Sequence, residues 1–125
     1  MPDSRGTVLL VDDDAAVRQS LKFALELEGL DVRLYDGGPE LLADPALPSS
    51  GCLVLDYKMP AMNGLEVLAR LRDRRVSMPT LLITSHADAA LRDRAAAAGV
   101  RGIIEKPLQD SVLIDSIRDA LRAAH

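Results

Sequence analysis

Val8-Leu9-Leu10-Val11-Asp12-Asp13 is the stretch whose reading decides the fold. An apolar run of four is followed at once by two acids. The same arrangement recurs along the chain: Cys52-Leu53-Val54-Leu55 precedes Asp56, and Thr80-Leu81-Leu82-Ile83 precedes Thr84. Gly102-Ile103-Ile104 likewise precedes Glu105-Lys106 and Pro107. Continuous apolar runs of this length, separated by helical patterns, read as parallel strands buried on both faces. In such sheets ligands bind outside the carboxyl ends of the strands, where the strand order reverses. Four strands that each release a polar residue there imply one composite site, rich in carboxylates and holding one lysine.

Strand and helix patterns alternate five times, the signature of stacked βαβ units. Asp14 is a good cap for a first helix whose Val17, Leu21, Ala24 and Leu25 share a face, and Gly29 stops it. Leu30–Leu34 reads as a short edge strand, charged at Asp31 and Arg33. A brief helix is expected over Pro39–Ala43, then a loop over Asp44–Gly51. Asn63-Gly64 opens a third helix with Leu65, Leu68 and Leu71 inward, while Arg70, Arg72, Arg74 and Arg75 read as a solvated face. The fourth helix, about Asp88–Ala98, is apolar mainly through alanine, with Leu91 its one large residue. Alanine removes little area from water, so at ~25 cal/mol per Å² this helix is the least firmly anchored. The last helix follows Asp110, with Leu113, Ile114, Ile117 and Leu121 spaced for burial.

Right-handed crossovers then give an α/β fold: a doubly wound, five-stranded parallel sheet of order 2-1-3-4-5, flavodoxin-like, with five helices on both faces. Strands one and three meet at the switch point, which sets Asp12-Asp13 beside Asp56. Met1–Gly6 is a polar lead-in, and residues 1–125 are expected to form a single domain.

Composition narrows the function classes. The net charge of −4 argues against nucleic acid as a direct ligand of this domain. The one cysteine, Cys52, lies inside a strand and reads as a small buried hydrophobe. No apolar run approaches a membrane span and no basic-then-apolar leader precedes the first strand, so a cytoplasmic location with no membrane partner is expected.

Three carboxylates at close quarters repel one another, and a hard divalent cation relieves the conflict. Mg²⁺ suits carboxylate oxygens while retaining waters and phosphate contacts. Lys106 supplies a compact positive charge and Thr84 a hydroxyl donor. Together these groups stabilise the spread charge of a transferring phosphoryl group, and an aspartate can serve as its nucleophile. Asp56 is single and central, so it is the expected nucleophile, while the adjacent Asp12 and Asp13 suit the metal.

The segments Val11-Asp12-Asp13-Asp14, Leu55-Asp56-Tyr57-Lys58-Met59-Pro60 with Asn63-Gly64, Ile83-Thr84-Ser85 and Glu105-Lys106-Pro107 resemble those of response-regulator receiver domains. The resemblance covers essentially the whole chain. Asn63–Leu68 and Ile104–Pro107 are similar in wording to receivers of the nitrogen-fixation regulator type. It implies that Asp56 is the phosphoacceptor, served by a histidine kinase or a histidine phosphotransfer protein. It further implies Mg²⁺ bound by Asp13 directly, by Asp12 mainly through water, and by Asp56 and the backbone carbonyl of Lys58. Thr84 matches the switch hydroxyl, Lys106 the ion-pairing lysine, and Lys106-Pro107 a bond that is cis in the family. Ile103 stands where the family usually carries Tyr or Phe, so movement of Thr84 is expected to couple to the fourth helix less strongly, or through packing of Ile103.

The resemblance also implies a kinase partner docked near Ala15, Ala16, Ser20 and the loop after Pro107. The output face would comprise the fourth helix, fifth strand and fifth helix, where many receivers dimerise on phosphorylation; Arg92, Arg94 and Arg101 could oppose a symmetric mate. Lys58 and His86 lie at the mouth of the site, whereas Tyr57 and Tyr35 carry no comparable signal. The expectation is a phosphorylation-controlled switch that catalyses its own phosphoryl transfer and hydrolysis but acts on no metabolite. Both a stand-alone receiver and the N-terminal part of a DNA-binding regulator fit a chain ending at His125. The competing readings are a Mg²⁺-dependent phosphatase with an Asp nucleophile, and a degenerate receiver used only for docking. Lys58 stands where such phosphatases usually carry a second Asp, and 125 residues leave no cap to enclose substrate.

Overall fold

The computed structural model describes residues 6–123, so Met1–Arg5 and the chain end at His125 lie outside it. Its elements are β1 (Thr7–Val11), α1 (Ala15–Leu27), β2 (Asp31–Tyr35), α2 (Gly38–Ala43) and β3 (Cys52–Asp56). α3 (Gly64–Asp73), β4 (Thr80–Thr84), α4 (Ala89–Ala97), β5 (Gly102–Glu105) and α5 (Asp110–Ala123) follow. The strands form one parallel sheet in the order β2-β1-β3-β4-β5, the winding expected from the sequence.

Why the apolar runs are unbroken is plain from the packing. Successive residues of a strand point to opposite faces, and here both faces are covered. Leu9, Val11, Leu53, Leu55 and Leu82 pack with Leu41 of α2, with Val67, Leu68 and Leu71 of α3, and with Leu91 and Ala95 of α4. The alternate residues Val8, Leu10, Cys52, Val54, Leu81 and Ile83 pack with Leu21 and Leu25 of α1 and with Leu113, Ile117 and Ala120 of α5. Burial also pushes the Cys52 thiol up to about 12, as befits a cysteine that serves packing.

Several sequence expectations shift, and α2 begins at Gly38, one residue before the expected Pro39. The second strand begins at Asp31, not Leu30. Leu30 instead closes a Schellman cap on α1: Gly29 N–H donates to the Glu26 carbonyl and Leu30 N–H to the Leu25 carbonyl, with Gly29 at φ 85°. In α3 the fully buried residue of the first turns is Val67, while Leu65 is only half-buried. Leu21, Leu25, Leu68, Leu71, Leu91, Leu113 and Ile117 are buried as expected, whereas Val17, Ala24, Ile114 and Leu121 are half-buried at the margins of their helix faces. β5, expected to be covered on both faces, is half-buried with Glu105 exposed, because it is the second edge of the sheet. Arg70, Arg72, Arg74 and Arg75 are exposed.

Helix starts place the site. Asp14 caps α1 by accepting from the N–H groups of Ala16 and Val17. Asn63 caps α3 in a reciprocal box with Glu66. Each cap ends a loop that begins at an acidic strand end, so loop and helix together hold the carboxylates in place. α4 buries only Leu91 and Ala95, in keeping with its alanine-rich side. Among the described residues no helix is long and apolar enough to cross a membrane.

Candidate functional site

The period of two that fills the core also aims the site residues. Asp12 continues the series Val8-Leu10, Asp56 the series Cys52-Val54, and Lys106 follows Ile104, all on the face of α1 and α5. Val11 pairs with Leu55, so extending that register by one residue sets Asp12 beside Asp56. The ladder does run on past the strand ends, with Asp12 N–H donating to Tyr35, Tyr57 N–H to Ile83 and Lys106 N–H to Thr84.

The result is a compact ionic cluster. Asp12, Asp13 and Asp56 each offer a carboxylate oxygen within 4.8 Å of the others. The Lys106 ammonium lies 3.5 Å from Asp56 Oδ1 and 4.0 Å from Asp12 Oδ2. Asp12 and Asp56 are buried, Asp13 is exposed, and Lys106 is one-third exposed. Burial, then the neighbouring Asp12 charge, pushes the Asp56 carboxyl up to about 6, although Lys106 draws it down. Burial likewise raises Asp12, against the opposing pull of the Asp14 N–H and Lys106.

A hard cation fits this donor set. Asp12 Oδ1 accepts from Asp14 N–H at 2.9 Å, but the buried Asp12 Oδ2 has no hydrogen-bond partner, only the Lys106 ammonium at 4.0 Å, and that one lysine is shared with Asp56. Buried carboxylate oxygens are normally paired or bound to metal. An oxygen-only set of three carboxylates suits Mg²⁺ and offers nothing to a soft metal.

The remaining expected residues differ in placement. Thr84 is buried at the end of β4, but it follows the opposite series from Asp56, that of Leu82. Its hydroxyl donates to the His86 carbonyl at 3.1 Å and accepts from the His86 N–H at 3.3 Å, so it is engaged with its own loop. Lys58 and His86 are exposed beside the strand ends. Lys106-Pro107 is cis. Ile103 packs against the core that contains Leu91 and Ala95, on the α4 side of the sheet.

Two side chains near the site carried no weight in the sequence reading. Tyr57 packs at the same core as Ile103, and its hydroxyl accepts from Arg94 of α4 at 3.2 Å. Arg18 donates to the Asp12 backbone carbonyl at 2.7 Å. The signal for Arg18 was available: a helical side chain points back toward its own N-terminus, which here is the acidic loop. Of the arginines expected to oppose a symmetric mate, Arg92 pairs with Glu105 at 3.5 Å and Arg94 meets Tyr57, so both are engaged within the chain.

A family model described as the response regulator receiver domain matches residues 8–118. Over 114 residues the chain is 39% identical to the transcriptional regulatory protein FixJ of Rhizobium meliloti, covering 91% of this chain and 56% of that protein. Full-length FixJ from B. japonicum superposes with a TM-score of 0.86 at 37% identity, over 98% of this chain and 61% of the other. A CheY-like receiver domain protein from Methanospirillum hungatei gives a TM-score of 0.85 at 29% identity, over 94% of each chain. The chain thus spans only 56–61% of the length of these FixJ regulators.

Proposed function

This chain belongs to the response regulator receiver domain family of two-component signalling, and from that premise we propose that Asp56 accepts the phosphoryl group. The observation that carries the assignment is the pairing of a buried, desolvated Asp56 with Lys106 at 3.5 Å inside a triad of carboxylates. An Asp56 carboxylate oxygen attacks phosphorus in the donor phosphohistidine. The P–N bond breaks, its electron pair stays on the imidazole nitrogen, and an acyl phosphate remains on Asp56. Lys106 stays within reach of the new phosphoryl oxygens. Asp12 and Asp13, with Asp56 and the Lys58 carbonyl, are the groups that would hold Mg²⁺. When bound, Mg²⁺ supplies positive charge that offsets both the carboxylates and the transferring phosphoryl oxygens.

Thr84 must leave the His86 backbone before its hydroxyl can serve the phosphoryl group. That exchange is the switch in this reading. α4 is the responsive element, because it is held by two buried side chains and two side-chain links, Arg94 to Tyr57 and Arg92 to Glu105. Amide exchange in α4 is expected to differ between the free and beryllofluoride-bound protein; equal protection in both states would count against α4. Pairing of two phosphorylated copies across α4, β5 and α5 belongs to the same reading.

The donor, a histidine kinase or histidine phosphotransfer protein, docks over the groove of about 380 Å³ between α1 and the loop after β5, where Ala16, Val17, Ser20, Pro107 and Leu108 lie beside Lys106. Phe23 and Leu27, 68% and 70% exposed, extend the Ala16–Ser20 side of α1 at helical spacing. Residues 1–125 act as one receiver domain in the cytoplasm, without touching nucleic acid, and turn over no metabolite. Nothing in the site favours the phosphatase or the docking-only reading.

Incubation with Mg²⁺ and acetyl phosphate, followed by intact-mass measurement, tests the assignment. The parent gains the mass of one phosphoryl group and Asp56→Asn gains none. A gain that persists in Asp56→Asn moves the acceptor elsewhere. No gain in the parent favours a docking module, and rapid turnover of diverse phosphoesters favours a hydrolase.

A further inference from the structure

We infer that Arg18 is the positioning residue for the acidic pair, and that it sets divalent-cation affinity without touching the cation. Arg18 lies one turn into α1, half-buried, and its guanidinium reaches back to donate to the Asp12 carbonyl at 2.7 Å. Asp12 is otherwise held by its own N–H to the Tyr35 carbonyl at 3.2 Å and by Asp14 N–H on its Oδ1 at 2.9 Å. These three contacts restrain the peptide on both sides of the Asp12 Cα and one carboxylate oxygen. What they leave without a hydrogen bond is the buried Oδ2, which faces the Lys106 ammonium at 4.0 Å, on a carboxylate that clusters with those of Asp13 and Asp56.

The contact at the carbonyl governs the next residue as well. The carbonyl of Asp12 and the N–H of Asp13 belong to one planar peptide, so holding the first orients the second. Asp13 is exposed, and its own side chain has no hydrogen bond within the loop among the described residues. Arg18 therefore directs both acids through a single peptide plane. Groups that orient metal ligands in this way typically change metal affinity by roughly 10- to 100-fold when removed. Arg18 is not a catalytic residue, because it reaches backbone only.

The inference rests on the receiver reading, and the experiment separates the two. Mg²⁺ affinity of the unphosphorylated, metal-free chain is measured by calorimetric titration for the parent, Arg18→Ala, Arg18→Lys and Arg118→Ala. Arg118, which binds Glu28 at 2.8 Å between α5 and the end of α1, serves as a surface control away from the acids. The expected result is a Kd weaker by roughly 10- to 100-fold for Arg18→Ala, partial recovery in Arg18→Lys, and an unchanged Kd for Arg118→Ala. Melting curves in excess chelator show whether the loss of affinity exceeds what destabilisation alone brings. If Arg18→Ala does not fold, Arg18→Met keeps the aliphatic stem and makes the same comparison.

A parent that binds Mg²⁺ while Arg18→Ala binds it within threefold overturns the role given to Arg18 and leaves the receiver reading intact. Equal losses in Arg18→Ala and Arg118→Ala also overturn it. A parent that binds no Mg²⁺ overturns the acidic pocket as a cation site, and this inference with it.

Discussion

Asp56→Asn is expected to be more stable than the parent chain at pH 7.5 in the absence of divalent cations, by roughly 3 kcal/mol. In the folded chain the Asp56 carboxyl is raised from 3.8 to about 6, with burial as the main cause and the Asp12 charge next. A folded pKa above the unfolded value means that the contribution to stability is complete below about 3.8 and is lost as the pH rises through 6. A tenfold change in a proton-binding equilibrium corresponds to about 1.4 kcal/mol, so ionising Asp56 costs the fold roughly 3 kcal/mol at neutral pH. Asparagine keeps the shape and carries no charge. The lost ion pair with Lys106 needs no separate deduction, because Lys106 already lowers the Asp56 carboxyl within that net shift. Denaturant unfolding of both proteins from pH 4 to 8 checks the claim. The curves should nearly coincide at the acid end and diverge through pH 6. Mg²⁺ should narrow the gap, because a ligand that binds only the folded parent stabilises it. Identical stabilities at pH 7.5 without metal would mean that Asp56 is well solvated, and the crowded pocket would lose its physical basis.

Gly64→Ala is the second change with a large expected effect. Gly64 opens α3, and its N–H donates to the Tyr57 carbonyl at 2.8 Å. A Cβ at this position would stand 2.9 Å from the Asp56 carbonyl oxygen, 3.3 Å from the Tyr57 Cα and 2.8 Å from Leu82 Cδ1. The leucine tip can rotate, but the two backbone atoms cannot yield without moving the end of β3. Overpacking of this kind costs about 1–3 kcal/mol, and backbone on one side of the clash puts this case at the upper end. The displaced strand end carries Asp56, so phosphoryl incorporation should fall together with stability. Thermal unfolding and the acetyl phosphate mass assay read the two effects. A variant with unchanged melting temperature and unchanged incorporation would show that α3 can withdraw freely from the site.

The strands and their order were legible in the sequence because both faces of a doubly covered sheet demand apolar residues without interruption. β1, β3 and β4 were therefore found at their cores, with each polar end residue in view. β2 was misread by one residue because Leu30 serves the cap of α1, and a cap competes for the same apolar residue that a strand start would use. Val67 was missed in favour of Leu65 for a related reason: both are apolar, and only the packing of α3 against α2 and the sheet decides which is covered.

The site divides along the same line. That Asp12, Asp13, Asp56 and Lys106 share one edge follows from the sequence alone, since strand length and winding order carry each residue to the same end of the sheet. Which way each side chain turns there was decided by tertiary structure. Thr84 is tied to its own loop, Arg18 reaches back to a carbonyl, and Tyr57 spans to α4. Local sequence sets strands and helices through short-range periodicity. Rotamers at a crowded polar edge depend instead on burial and on partners brought in from distant elements, and those exist only once the sheet has closed.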